Sequence, residues 1–183
     1  MVPVVHTTVS RTKAAEPEPE PELSGPLVLD LGTHQLTSLP TADGLKQLAL
    51  LQQAGRTIVC CDLSNNRLTA LGDALSALPD LETLNLSLNH ISEISRDLSG
   101  AALPSHPELR HIDLSTNRLP TFAPKEWAVP KLVSLDLSAN KLSEFDVSHL
   151  ALPALARLNL SNNRLRRCAS RSRDMTTLLR NPI

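Results

Sequence analysis

The sequence predicts an α/β solenoid that has a parallel concave β-sheet of about six short strands and an irregular or short-helical convex side. Three observations lead to this fold class. Leucine fills 36 of the 183 positions, whereas the aromatic fraction is only 2%. An eleven-residue phrase, LxxLxLxxNxL, occurs six times, and its commonest spacing is 23 residues. Within the phrase, the L-x-L alternation is typical of a short strand, because successive side chains of a strand point to opposite faces.

Each copy of the phrase predicts one strand, and the copies follow one another along most of the chain. The six copies begin at Pro26, Ile58, Leu81, Leu109, Leu132 and Leu155. The first two are less regular, since His34 replaces the Asn of the first and Cys61 replaces a Leu of the second. One repeat cannot bury its leucines alone, so we expect the strands to stack in parallel and to share one core.

An Asn residue recurs after each of the last five predicted strands. Its amide has both a donor and an acceptor, and can satisfy the backbone groups that the tight turn after the strand leaves inside. The predicted internal ladder consists of Asn66, Asn89, Asn117, Asn140 and Asn163. We interpret these residues as structural, not as ligand contacts.

The recurring phrase resembles the leucine-rich repeat family, and the resemblance covers residues 26–168. Leu-Pro pairs shortly before a phrase, as at Leu78-Pro79 and Leu152-Pro153, are similar to the intracellular short-repeat subclass of that family. A phosphatase-1 regulatory repeat protein and the A-prime subunit of the U2 small nuclear ribonucleoprotein typify that subclass. The resemblance implies a right-handed solenoid whose concave sheet binds a protein.

Composition divides the chain into three parts. Residues 1–25 form a Pro/Glu-rich leader that we expect to be disordered, because EPEPEPE alternates a charge with a residue that cannot donate a hydrogen bond. Residues 26–168 form the repeat domain, with an insertion near 41–55 that has leucines at helical spacing and a loop-like insertion near 95–107. Residues 169–183 form a basic tail that begins a terminal repeat without its cap. We expect the chain to be a fragment, or a partner to cover this edge.

Several function classes are disfavoured. The chain has no run of about 20 apolar residues, the length of a membrane span. Its net charge of −1 gives no global field that would draw it onto nucleic acid. Scattered His and dispersed Gly residues form neither a nucleophile motif nor a phosphate-binding loop, so we expect no enzyme, no metal and no cofactor.

The cysteines and the first residues of the chain bear on its location. Three Cys, two of them adjacent, are a poor disulfide framework and have no zinc-ligand spacing. The first residues lack the basic and apolar regions of a secretory signal. We therefore expect a reducing, cytoplasmic location, with a nuclear or organellar one left open.

Two columns of residues describe the surfaces that a partner could meet. The residue between the two strand leucines points to the concave face and is acidic or polar: Asp30, Asp62, Asn85, Asp113, Asp136 and Asn159. A basic rim follows the Asn ladder: Gln35, Arg67, His90, Arg118, Lys141 and Arg164. These columns predict docking of a protein partner, although Asp-Leu-Ser and Asn-Leu-Ser can also be simply the common form of the repeat.

Selectivity is expected where the repeats differ from one another. Concave positions with unshared side chains are Glu82, Thr83, Leu88, Arg110, His111, Thr116 and Arg157. Candidates for a secondary contact are Trp127, Arg166 and Arg167, since interfaces favour Trp and Arg. No aromatic residue falls on the predicted concave face, which indicates a modest or charge-dominated contact.

The resulting prediction is a non-enzymatic interaction scaffold or adaptor, acting as a monomer or in a hetero-complex, with a protein partner on its concave face. Two alternatives use the same surfaces: a ribonucleoprotein component that holds an RNA-binding partner, and a regulatory subunit of a phosphatase-type enzyme. Direct nucleic-acid binding is not predicted, because the arginines near the end of the chain lack neighbouring aromatic residues on which bases could stack.

Overall fold

The computed structural model describes residues 26–39, 57–70, 75, 78–93, 106–122, 128–146 and 152–169. For residues 167–169 it describes only the backbone. Four predicted segments lie wholly or mostly outside these residues. They are the leader (1–25), the insertion near 41–55, the insertion near 95–107 and the tail (169–183).

Short parallel strands make up the described part of the chain. In chain order they are β1 (Leu27–Asp30), β2 (Ile58–Asp62), β3 (Thr83–Asn85), β4 (His111–Asp113), β5 (Thr121–Phe122), β6 (Ser134–Asp136), β7 (Glu144–Asp146), β8 (Arg157–Asn159) and β9 (Arg167–Ala169). One six-stranded sheet has the order β1-β2-β3-β4-β6-β8, so each copy of the phrase supplies one of its strands. The prediction of a parallel solenoid sheet is therefore confirmed.

The core forms as the L-x-L alternation predicts. Leu84 and Leu86 of the third phrase are 2% and 0% exposed, while Asn85 between them is half-buried on the other face. The sheet register sets Leu84 beside Cys61 on one side and beside Ile112 on the other. Full burial of each such side chain contributes about 1.5–3 kcal/mol, which drives the stacking of repeats that are too small to fold alone.

Each Asn of the predicted ladder bridges two repeats. Asn117 Oδ1 accepts a hydrogen bond from the Ile91 amide at 2.9 Å. Its Nδ2 donates to the carbonyls of Leu86, Leu114 and Ser115 at 2.9, 3.1 and 3.2 Å. Equivalent bonds are made by Asn66, Asn89, Asn140 and Asn163. The ladder therefore fixes the backbone of the turns of the second to sixth repeats relative to the repeat before each.

The first repeat has a local substitute for the ladder. His34 occupies the Asn position but is exposed, and its Nδ1 lies 2.5 Å from the Gly32 carbonyl. This contact corresponds to the bond that a ladder Asn makes to the carbonyl two residues before it. The turn of the first repeat is also held from the second repeat, as in the rest of the ladder. Asn66 accepts a hydrogen bond from the Leu36 amide and donates one to the Leu31 carbonyl.

A second parallel sheet, which the sequence analysis did not predict, consists of β5, β7 and β9. Its register pairs Phe122 with Phe145, and Phe145 with Cys168. The two Phe rings are 1% exposed and stack with their centroids 5.6 Å apart. These positions recur every 23 residues, so successive repeats bring equivalent extended segments side by side. A single bridge between Ala70 and Glu93 repeats the pairing earlier in the array.

Candidate functional site

The six-stranded sheet brings two columns of side chains into register on its concave face, the sheet surface that points away from the leucine core. The acidic column is Asp30, Asp62, Asn85, Asp113, Asp136 and Asn159. The variable column lies two residues earlier in each strand and is Val28, Cys60, Thr83, His111, Ser134 and Arg157. Neighbouring members of a column are one strand apart, about 4.8 Å.

Every member of the acidic column uses one side-chain oxygen to hold its own turn. Asp62 Oδ1 accepts the Ser64 amide, and Asp113 Oδ1 accepts the Ser115 amide, each at 2.8 Å. The same bond is made by Asp30, Asn85, Asp136 and Asn159. Asp and Asn are favoured in turns because their side chains bond to the backbone two residues further on. The repetition of this column therefore has a structural cause.

Amide donors from neighbouring strands further reduce the acidic character of this column. Asn85 Nδ2 donates to Asp62 Oδ2 at 3.2 Å, and Asn159 Nδ2 donates to Asp136 Oδ2 at 2.9 Å. Two of the four carboxylates are thus partly satisfied from inside the array. The composition of the column overstates how strongly it can attract a cationic partner.

The variable column differs from the acidic column in its bonding. In the described part of the chain, the side chains of Thr83, His111, Ser134 and Arg157 make no hydrogen bond or ion pair that would hold them to the array. Thr83, His111 and Ser134 are half-buried and Arg157 is exposed. Sequence reasoning selected three of them but missed Ser134. Its fixed place two residues before Asp136 was the signal that could have found it.

Glu82 and Arg110, two further predicted concave residues, pair with each other. Arg110 Nε lies 3.7 Å from Glu82 Oε2, and both side chains are about half exposed. The Arg110 amide also donates to the Glu82 carbonyl at 2.8 Å. Exposed ion pairs contribute about 0.2–1 kcal/mol, so a partner can replace this contact at little expense in stability.

Leu88 and Thr116, which were predicted to lie on the concave face, lie in the turns that follow β3 and β4. Both have left-handed backbone conformations, with φ values of 57° and 55°. With Arg67, Arg118 and Lys141 of the basic rim they line an open groove of about 690 Å³. The rim was readable from the sequence as a column, but the groove depends on how the turns stack.

Cys60 and Cys61, the cysteines whose side chains the structure describes, are not in a state that favours nucleophilic chemistry. Burial raises the pKa of the Cys61 thiol to about 12, and the neighbouring Cys60 and Asp62 add to the effect. Burial and Asp62 also raise the pKa of Cys60. Reactive cysteines have a lowered pKa, because the thiolate is the nucleophile. Cys61 instead fills a leucine site of the core.

The remaining predicted contacts are only partly described. Trp127 and the side chain of Arg167 lie outside the described residues, whereas Arg166 is exposed and its amide donates to the Ser143 carbonyl. Within the described ranges, no three His, Cys, Asp or Glu side chains are close enough to hold a metal ion. No helix among those residues has the length and apolar character needed to cross a membrane.

Comparison with known proteins agrees with this geometry. Residues 62–119 match the family described as leucine rich repeat. The matched segment contains strands β3 and β4 and the turns after β2, β3 and β4, and the sheet continues the same arrangement on both sides of it. No curated protein matches the chain. Domains of this family generally mediate protein–protein interaction.

Proposed function

Because the described chain is a leucine-rich repeat solenoid, we propose that it is a non-enzymatic scaffold or adaptor that binds a protein partner on its concave face. The variable column carries this proposal. Its side chains differ from repeat to repeat, are at least partly exposed, and are not used to hold the described array together. The acidic column beside it fixes the turns and provides a polar background.

The dimensions and chemistry of this face suit a polar interface. Six strands at about 4.8 Å span about 24 Å, so a partner that lies across them can contact side chains from several repeats at once. His111 and Arg157 offer donors that can pair with carboxylates or carbonyls, while Thr83 and Ser134 offer hydroxyl groups. We therefore propose that hydrogen bonds and charge, more than aromatic anchors, select the partner.

We further propose that the chain is similar to the intracellular short-repeat subclass and acts in a reducing compartment such as the cytoplasm. The 23-residue spacing and the Leu-Pro pairs support the subclass. Cys61 supports the compartment, because it replaces a core leucine and is 1% exposed. A buried thiol at such a position serves packing.

Cross-linking mass spectrometry in native extract tests the concave face. We expect partners to be cross-linked at Lys131 or Lys141, the described lysines, which precede and follow β6. Ser134→Arg places a bulky charge in the variable column and should abolish recovery of these partners. Ser92→Arg is the matched control, because Ser92 is exposed and lies outside the six-stranded sheet. Undiminished recovery with Ser134→Arg, or cross-links confined to the tail, would refute the concave docking site.

A further inference from the structure

The groove beside the concave face has a one-sided charge. Its twelve lining residues include Arg67, Arg118, Lys141 and His90, but no Asp or Glu. The three permanently charged side chains are exposed. The groove is therefore a cationic surface that is separate from the strand columns.

The backbone holds these cations in a line. The Arg67 amide donates to Leu36, the residue after Gln35, and the His90 amide donates to Leu68, the residue after Arg67. The same bond continues through Arg118, Lys141 and Arg164. Successive members of the rim are thus one backbone hydrogen bond apart, a spacing of about 4.8 Å.

Acidic side chains compensate other cations of the array but not these. Lys131 Nζ lies 2.7 Å from Glu108, and Arg110 pairs with Glu82. Among the described residues, no carboxylate lies within ion-pair distance of Arg67, Arg118 or Lys141. Arg118 and Lys141 are neighbours in the rim and repel each other, so an anionic ligand that bridged them would be favoured.

Leu88 gives the groove an apolar centre. Its side chain is 52% exposed although its backbone is left-handed, a conformation that Asn tolerates better than Leu. The equivalent turns of the second and sixth repeats have Asn65 and Asn162. Leu88 belongs to the third repeat, between the repeats of Arg67 and Arg118.

We propose that this groove binds an extended acidic segment of a protein, with an apolar residue of that segment packed on Leu88 and carboxylates on the flanking cations. The inference rests on the proposed function, since it specifies the chemistry of a protein partner. In an extended peptide, side chains on one face recur about every 6.6 Å, which long Arg and Lys side chains can match from anchors about 4.8 Å apart. An RNA strand fits less well, because the groove lining has no Phe, Tyr or Trp and His90 is its single ring, whereas single-strand sites stack successive bases on several aromatic side chains.

Fluorescence anisotropy with the full-length chain tests the ligand class. The probe is a labelled synthetic peptide of sequence EELEELEE, at about 0.15 M salt, where the Debye length is about 8 Å. Replacing both leucines of the peptide by Ser should weaken binding about fivefold. Failure of the EELEELEE peptide to bind at concentrations up to about 1 mM overturns the inference. Tighter binding of labelled oligouridine than of this peptide also overturns it.

Matched variants test the position of the site. Lys141→Glu should weaken peptide binding about tenfold, while Lys131→Glu, at the opposite end of β6, should change it less than about twofold. Leu88→Asn should also weaken binding, yet it relieves a left-handed Leu and should leave the melting temperature unchanged or higher. Loss of affinity in a variant at least as stable as the wild type excludes unfolding as the cause.

The proposals for the concave face and for the groove can be refuted independently of each other. Ser134→Arg should block the cross-linked partner but leave the affinity for EELEELEE intact. Equal peptide affinity in the wild type, Lys141→Glu and Leu88→Asn overturns the groove and leaves the concave site unaffected. Loss of peptide binding in Ser134→Arg would likewise overturn a separate groove.

Discussion

The turn after each strand of the concave sheet contains a residue with a left-handed backbone, and the residue type at this position differs in how well it tolerates that conformation. Such positions carry Asn65 and Asn162, but also Thr33, Leu88, Thr116 and Ala139, with φ between 52° and 61°. Asn tolerates this conformation, whereas a β-branched side chain crowds the backbone. Local rules tend to be broken where a residue has another role. Thr33, Leu88 and Thr116 are the residues of this set that line the groove without being Asn.

Thr116→Asn should therefore stabilise the protein by about 1 kcal/mol, because it removes a strained β-branched residue. At this chain length the expected rise in melting temperature is about 2–4 °C. The reverse change at an equivalent turn, Asn162→Thr, should lower the melting temperature. Thermal unfolding followed by circular dichroism measures both. A lower melting temperature for Thr116→Asn would contradict the strain argument.

The buried thiol of Cys61 makes the stability of the protein depend on pH in the alkaline range. Burial raises the pKa of its thiol from 9.0 to about 12, so the folded state favours the neutral form. A pKa that is raised on folding gives stability that is fully present below pH 9.0 and is lost as the pH rises towards about 12. We expect the free energy of unfolding to fall more steeply over this range in the wild type than in Cys61→Ala. Denaturant titrations at several pH values measure it, and parallel slopes would contradict it.

At the scale of elements, the Asn ladder does more than the strands to hold neighbouring repeats in register. The later strands of the concave sheet are only three residues long, whereas each ladder amide bonds to groups in two repeats. When a buried donor or acceptor loses its hydrogen-bond partner, the free energy of unfolding falls by about 1–3 kcal/mol. The turns, more than the strands, therefore determine where the functional columns stand.

Asn117→Ala should destabilise the protein by about 3 kcal/mol or more, because it removes four hydrogen bonds and leaves buried backbone groups without partners. Asn163→Ala is the matched comparison at the last ladder position, where the side chain is only half-buried. The loss of stability in Asn163→Ala should be clearly smaller, because water can reach the backbone groups that the Asn163 amide leaves unpaired. Urea unfolding of both variants measures the difference. Equal losses would indicate that burial does not govern the ladder.

The sequence predicts those elements that depend on a local pattern. The burial of Leu84 and Leu86 and the role of the Asn117 amide follow from the phrase itself, since the alternation fixes the buried face and the Asn fixes the turn. The stacking of Phe122 on Phe145 depends on the register between repeats, as does the groove around Leu88. Leu88 lies in the turn after β3 with a left-handed backbone, a conformation that the alternation of the strand does not predict.

At the scale of the whole molecule, the described array is close to one-dimensional. In the larger sheet each strand pairs only with the strands of the preceding and following phrases. In such an array the stability is approximately a sum of repeat and nearest-neighbour contributions. The concave face and the groove share the same stacked turns, so one partner could meet both with a folded surface and an extended acidic segment.

This architecture makes the effect of a core substitution depend on its place in the array. Leu31 and Leu137 occupy the same position of the phrase, but Leu137 is 0% exposed and lies between repeats, while Leu31 at the first described repeat is only partly buried. Leu137→Ala should destabilise the protein by about 2–5 kcal/mol, because the resulting cavity affects contacts with both neighbouring repeats. Leu31→Ala should lower the free energy of unfolding by less than about 2 kcal/mol, because Leu31 is only partly buried and its truncation removes less buried apolar surface. Urea unfolding distinguishes the cases: equal losses would contradict a nearest-neighbour array, and an unchanged midpoint for Leu137→Ala would contradict the buried leucine column itself.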